Sequence, residues 1–274
     1  MGPQTIVITG ASDGIGAAAA RQLTAAGENV VLVGRSPAKT AAVAAELEAP
    51  YHVADFSELD QVRELAATLR DTYPRVDVLA NNAGGVMGDR AVTKDGFEMT
   101  FQVNHLAPFL LTHLLMPTLI ASSAKVLQTS SIAARRYGHL DLDNLQNEEN
   151  YSPNKAYGDS KLANILFTKE LHNRYHAQGI SAAAFHPGNV ATSFASDTTS
   201  YLRWVYHTPL KRLLLISPEK GGLTLTWLAE GTPGSSWQSG QYYEANKPAR
   251  TTAQAYDEKL ARQLWERSSS MLGL

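Results

Sequence analysis

Tyr157 and Lys161 stand four residues apart in a segment patterned as a helix over 156–178, so their side chains would share one helix face. A free phenol, with a pKa of about 10, is a poor acid–base catalyst near neutrality; a neighbouring ammonium stabilises the phenolate and lowers that pKa. The pair therefore reads as a proton donor and the group that tunes it, with the other lysine N–H groups left for a ligand's hydroxyls. Ser131 follows the apolar run 125–129. At the C-terminal end of such a strand it would lie on the edge where open α/β sheets bind ligands, and its hydroxyl would stabilise charge developing on a substrate oxygen. Ser130 is the adjacent competitor, and strand alternation with Ile132-Ala133-Ala134 next in line favours Ser131. A Tyr–Lys pair at this spacing arises by chance on many helices, so its meaning depends on the rest of the chain.

The run Thr5-Ile6-Val7-Ile8-Thr9 ends in Gly10-Ala11-Ser12-Asp13-Gly14-Ile15-Gly16 and then turns helical. Glycines at such a turn let the backbone bend tightly and approach a pyrophosphate, while the N–H groups at the helix start favour negative charge. Gly10, Ser12, Asp13, Gly14, Ile15 and Gly16 are thus candidate phosphate-binding residues. Their spacing, G-x-x-x-G-x-G, differs from the G-x-G-x-x-G fingerprint, and no G-K-[ST] follows, which excludes a P-loop nucleotidase. An acidic residue closing the second strand would accept from a free ribose 2′-hydroxyl. This chain has Gly34-Arg35-Ser36 instead, with Lys39 one helical turn on. Arg35 can make a charge-assisted contact to a 2′-phosphate. That favours NADP(H) over NAD(H), the alternative being a solvated arginine at a helix start.

These groups need a frame. Short β-rich runs at 5–9, 29–33, 51–54, 76–81, 125–129, 180–185 and near 241–244 alternate with helical patterns at 15–26, 37–47, 59–73, 95–120 and 156–178. Most of the runs are continuously apolar, as in parallel strands covered on both faces. The expectation is an α/β, Rossmann-type doubly wound fold: a mostly parallel seven-stranded sheet with helices on both faces, in one domain over 1–274. A polar insert at 138–154 and a long stretch at 192–217 interrupt the alternation.

Composition removes other classes. The chain has 274 residues and no cysteine, so thiol nucleophiles, disulfides, iron–sulfur clusters and cysteine-based zinc sites are excluded. Lys+Arg 24 against Asp+Glu 26 leaves a net charge of -2, without the basic field that nucleic acid or an anionic membrane would attract. The chain runs from its N-terminus directly into a strand, leaving no room for a signal peptide, and Ile6 stands where a myristoylation signal needs Ser or Thr. The most apolar stretch, 106–121, is broken by Pro108, Thr112, His113 and Pro117 and falls short of the ~20 residues of a bilayer span. A cytoplasmic protein without an integral membrane segment is expected.

The Thr9–Gly16 turn, Asn81-Asn82-Ala83-Gly84, Ser131, Tyr157-x-x-x-Lys161 and Pro187-Gly188-x-x-x-Thr192 occur in that order. Over nearly its full length the chain resembles the short-chain dehydrogenase/reductase superfamily. Its Asn-Asn-Ala-Gly segment, Gln102-Val103-Asn104-His105 and the long gap between Ser131 and Tyr157 resemble the retinol-dehydrogenase-like branch. The resemblance implies reversible hydride transfer between a nicotinamide and an alcohol or carbonyl carbon, with Tyr157 supplying or removing the oxygen's proton. It further implies that Asn104 holds a water linking Lys161 to solvent, that Asn82, Ala83 and Gly84 line the cofactor, and that Asp55 and Phe56 meet the adenine. Pro187, Gly188, Val190 and Thr192 would hold the nicotinamide carboxamide. Asp55 is equally suited to capping the next helix, and Pro187-Gly188 to an ordinary turn.

Other features carry less. His172 and His176 are i, i+4 on one helix but lack an evident third ligand, so no metal is expected. Residues 141–150 read as a solvated acidic loop, and Arg135-Arg136 is too short for a nucleic-acid patch. Phe194, Tyr201, Leu202, Trp204, Tyr206 and their apolar neighbours up to Ile216 suggest a lid for a small lipophilic alcohol or carbonyl; core packing or an oligomer contact explains them equally well. A homodimer or homotetramer is compatible with the resemblance. The rivals are a Rossmann protein that senses NADP(H) without chemistry, which the complete Ser–Tyr–Lys set disfavours, and a methyltransferase, which would leave the Tyr–Lys pair unexplained.

Overall fold

The computed structural model describes residues 2–188 and 216–274; Val190, Thr192 and the apolar stretch through residue 215 lie outside them. Thr5–Thr9 (β1) and Asn29–Gly34 (β2) are built almost wholly from residues that favour extended backbone. Tyr51–Val53 (β3), Val78–Asn81 (β4), Lys125–Thr129 (β5), Ser181–His186 (β6), Gln241–Glu244 (β7) and Lys247–Pro248 (β8) complete one sheet in the order β3-β2-β1-β4-β5-β6-β7-β8. The first seven strands run parallel, and β8 pairs antiparallel with β7. The sheet therefore has eight strands rather than seven. The additional one is a two-residue arm of a tight hairpin, closed by Ala245 and Asn246 at positive φ, too short to show a hydrophobic pattern.

The helices are Gly14–Ala25 (α1), Pro37–Leu47 (α2), Leu59–Thr72 (α3), Met99–Phe101 (α4), Ala107–Ala121 (α5), Ala133–Arg136 (α6), Pro153–Tyr175 (α7), Pro218–Glu230 (α8) and Glu258–Leu272 (α9). One core cluster packs α3, α5, α7 and α9 on one face of the sheet, and a second packs α1, α2 and α8 on the other. Each face of the parallel strands is thus covered, which is why they read as apolar runs. Three helices open on Ser-Pro: Ser36, Ser152 and Ser217 accept from the N–H three residues on, with proline at the first helical position.

The long helical pattern at 95–120 starts later than expected, at Met99, and is not uniform. Gln102–Leu106 is a π-turn between α4 and α5. Pro108 supplies the reason: it has no N–H and its ring clashes with the carbonyl four residues back, that of Asn104. Met99–Ala121 is long and apolar enough to cross a membrane by composition, yet 67% of its most apolar window is buried inside the protein, as expected for a core helix. The helix carrying Tyr157 starts three residues before the expected boundary, at Pro153, and ends in a single 3₁₀ turn, His176–Gln178. The loop at 141–150 is less solvated than expected, because Leu145 and Asn147 are buried.

Candidate active site

The reversal of strand order between β1 and β4 opens a crevice at the C-terminal edge of the sheet, and nearly every candidate residue that is described lies along it. At β1, Gly10 and Gly14 take φ of +67° and +55°, a region open mainly to glycine. Asp13 caps α1 by accepting from the Gly14 N–H at 2.7 Å, and the N–H groups of Ile15 and Gly16 belong to the first turn, where no intrahelical acceptor exists. A Cβ on Gly16 would stand 2.3 Å from the Gly10 carbonyl oxygen, so the turn closes only with glycine there. This cradle fits a pyrophosphate.

The Asn82 side chain holds the turn itself. Its Nδ2 donates to the carbonyls of Thr9 at 3.0 Å and Gly10 at 3.3 Å, and its Oδ1 accepts from the Thr129 hydroxyl at 3.2 Å. Thr9 Oγ1 in turn accepts the N–H groups of Asn82 and Ala83, both at 3.0 Å. The turns after β1, β4 and β5 are thereby bound together.

Toward the adenosine end, a Cβ built on Gly34 would touch Ser12 Cβ at 2.9 Å, so Ser12 lies at the end of β2 beside Arg35. Arg35 is exposed; Lys39 Nζ lies 3.4 Å from Asp13 Oδ2, in a pair too exposed to contribute much. Asp55 Oδ1 accepts from the Ser57 N–H at 2.9 Å and the Ser57 hydroxyl at 2.8 Å, so Asp55 organises its own turn. The N-terminal Leu59 N–H of α3 is taken instead by Asp95 Oδ2, at 2.9 Å. The Phe56 ring is buried in the core.

At the other end, Lys161 is 2% exposed and its Nζ lies 5.4 Å from the centroid of the Tyr157 ring. Nζ donates to the Thr129 carbonyl at 3.1 Å. Burial holds the ammonium down to about 7, because the low-dielectric interior disfavours the charged form. A cation so placed gains most when an anion forms beside it. Tyr157 packs with Val86 and Ala133. The two serines separate clearly: Ser130 is buried and donates to the Lys161 carbonyl at 2.7 Å, whereas Ser131 is half-buried and its Oγ accepts from the Ala133 N–H at 3.1 Å. The Ser131 hydroxyl proton stays available.

Gly84 runs close to this group, since a Cβ there would meet Asn104 Oδ1 at 2.2 Å and Lys161 Nζ at 3.2 Å. Asn104 Nδ2 donates to the carbonyls of Gly85 and Thr100, both at 2.9 Å, and Oδ1 accepts the Gly85 N–H at 3.0 Å. Both amide hydrogens are committed, so the side chain secures the turn after β4. Pro187 and Gly188 follow β6; Gly188 has φ of +93°, and a Cβ there would meet Ile216 Cδ1 at 2.5 Å.

Tyr242 and Glu244 escaped the sequence reading because β7 bears no motif. The Tyr242 hydroxyl donates to Glu244 Oε1 at 2.9 Å. Burial, then the Glu244 charge, pushes this phenol up, and Tyr157 is near enough to add to the effect. His186, in register with Glu244 on β6, is pushed down by burial. His172 and His176 stack, with Nδ1 atoms on Ser239 Oγ and the Ile180 carbonyl, and the described residues contain no cluster of three metal-ligating side chains.

A Gly-cradled crevice with a buried lysine and tyrosine and a half-buried serine fits a dinucleotide-dependent oxidoreductase site, and the family comparison agrees. The short chain dehydrogenase family model matches residues 4–202, and the chain belongs to that family, in its retinol-dehydrogenase-like part. It is an oxidoreductase of the class acting on alcohols and carbonyls, whose members bind NAD(H) or NADP(H). It is 41% identical to DnrU of Streptomyces sp. (strain C5), a proposed daunorubicin C-13 ketoreductase, covering 98% of this chain and 93% of that one. Human retinol dehydrogenase 13 is 37% identical, with coverage of 99% and 85%. The crystal structure of a protein of uncharacterised function from Mycobacterium Paratuberculosis superposes with a TM-score of 0.78 at 32% identity, covering 99% of this chain and 94% of that one.

Proposed function

We propose that this chain interconverts a hydrophobic alcohol and its ketone or aldehyde using NADP(H), with Tyr157 as the general acid and base. The observation that carries the reading is the burial of Tyr157 and Lys161 together on one helix, with Tyr157 packed on Ala133, whose N–H the Ser131 hydroxyl accepts while keeping its own proton to donate. The dinucleotide would supply or accept the hydride when bound. In reduction, the Tyr157 hydroxyl gives its proton to the substrate oxygen, the Ser131 hydroxyl donates to the same oxygen, and the Lys161 ammonium stabilises the phenolate left behind. In oxidation, the phenolate removes the alcohol proton. Gly10, Gly14, Ile15 and Gly16 would hold the pyrophosphate, and Arg35, with Ser12 and Lys39, the 2′-phosphate, since no acidic residue closes β2. The apolar stretch after Gly188 and the retinol dehydrogenases among the relatives support a lipophilic substrate.

The test is a panel of retinoids, steroids, long-chain aldehydes and quinones assayed with NADPH and with NADH. Tyr157→Phe should lower turnover by about a thousandfold while dinucleotide affinity stays within about threefold. Arg35→Asp should lower the NADPH-to-NADH ratio of kcat/KM by about ten- to a hundredfold, as expected for losing a charge-assisted contact and gaining repulsion. Wild-type turnover in Tyr157→Phe defeats the acid–base assignment; an unchanged ratio in Arg35→Asp defeats the 2′-phosphate assignment.

A further inference from the structure

We propose that Asn164, fixed by His105 and Ser268, is a positioning residue for Lys161: it takes one side of the Thr129 carbonyl on which the lysine rests and ties that carbonyl to the π-turn. The proposal rests on the reading of Tyr157 and Lys161 as the acid–base pair. Its root is Pro108. In an unbroken helix the N–H at position 108 would bond the Asn104 carbonyl, but proline has no N–H, and the π-turn leaves that carbonyl needing a donor. Asn164, one turn along α7 from Lys161, supplies it. Its Nδ2 donates to the Asn104 carbonyl at 3.1 Å and to the Thr129 carbonyl at 3.3 Å, the same oxygen that accepts Lys161 Nζ at 3.1 Å.

The polarity of the network follows from these acceptors. Carbonyls only accept, so both Asn164 hydrogens are committed and Oδ1 must be the atom facing His105 Nδ1, at 3.4 Å. His105 Nδ1 therefore carries its proton, and Nε2 accepts from the Ser268 hydroxyl of α9 at 2.9 Å. Asn164, His105 and Ser268 are all buried, and Phe101, Phe109 and Phe167 surround the imidazole. The imidazole stays neutral at physiological pH, because burial lowers its pKa to about 4. A chain of single-polarity bonds thus runs from the C-terminal helix to the oxygen beneath the lysine.

Asn164 leaves the Thr129 carbonyl room for one lysine N–H and keeps the others for Tyr157 and a ligand. Without it, the carbonyls of Thr129 and Asn104 both lose a donor, and the nearest replacement is the Lys161 ammonium, drawn away from the phenol. The phenolate of Tyr157 then loses cationic support. Among the described residues, Tyr242 on β7, with Glu244 and Arg135 around it, is a titratable group felt alongside Tyr157, and Lys161 is another on α7; none of these changes in the variants below.

The experiment follows the Tyr157 phenolate by difference absorbance, each protein against the same protein carrying Tyr157→Phe, as pH is raised; alcohol oxidation is measured in parallel. Asn164→Leu should move the phenolate midpoint up by about one pH unit, a tenfold loss of phenolate at any pH below it. His105→Phe should move it the same way by less. His105→Asn, whose amide nitrogen can stand where Nδ1 does, should restore it. If Asn164→Leu and His105→Phe lower the melting temperature and the overall rate but leave the midpoint in place, the network is packing alone and the proposal is overturned. Should Asn164→Leu not fold, the two His105 variants make the same comparison. A wild-type protein that turns over no alcohol or carbonyl, yet whose midpoint moves in the variants, would defeat the proposed activity and uphold the positioning role.

Discussion

Asn82 and Asn164 hold opposite ends of the crevice with the same chemistry: an amide whose two hydrogens go to backbone carbonyls and whose oxygen accepts one bond. Asn82 ties together three turns at strand ends, and its partners Thr9 and Gly10 belong to the Gly-rich motif itself. Asn164 instead joins α7 to β5 and to a carbonyl stranded by a proline more than fifty residues earlier. Thr129 belongs to both, its hydroxyl on Asn82 and its carbonyl shared by Asn164 and Lys161. Both latches span long separations in sequence; the Gly-rich turn is held by bonds between turns at strand ends, whereas the seat of Lys161 is held by bonds that pass between helices and a strand.

The comparison is broken most sharply at Gly16. Gly16→Ala places a methyl against the Gly10 backbone, and overpacking of about 1–3 kcal/mol corresponds to about a ten- to hundredfold loss of dinucleotide affinity by fluorescence titration. If the two ends are separate devices, the Tyr157 phenolate midpoint stays at its wild-type value in that variant.

At the other end the effect is on stability rather than on binding. His105 titrates near 4 in the folded protein against 6.5 when free, so the unfolded chain binds more protons between those values. The stability contributed by keeping this imidazole neutral is fully present above pH 6.5 and is lost as pH falls toward 4, amounting to about 3 kcal/mol. Denaturant unfolding at successive pH values should show a flatter acid limb for His105→Asn than for the wild type. Equal slopes would mean that His105 is not held neutral.

The smallest effect separates the two roles of Thr129. Thr129→Val removes the hydroxyl bond to Asn82 but leaves the carbonyl, so it should cost about 1 kcal/mol and weaken dinucleotide binding only a few-fold. The phenolate midpoint should not move. A shift there would show that the two latches are one.

Much of this molecule is legible in its residue order. The apolar strands, the Gly-rich turn and the Tyr–Lys spacing are local, because strand and helix periods place neighbouring side chains without reference to anything distant. Even the missed helix start at Pro153 was announced by Ser152-Pro153, the same pair that opens α2 and α8. The two-residue β8 was not legible, being too short to alternate.

The sequence by itself therefore determined the class of fold, the strand-end location of the site and the identities of Ser131, Tyr157 and Lys161 as candidates, since these follow from short-range pattern. Only the tertiary structure decided that Ser130 is spent on the Lys161 carbonyl, that the side chains of Asn82 and Asn104 bind the protein's own turns, and that Asn164 and His105 reach the lysine's seat. The physical reason is that a buried polar atom must find a partner, and which partner it finds depends on segments far apart in the chain that packing alone brings within 3 or so ångströms, about the reach of a hydrogen bond.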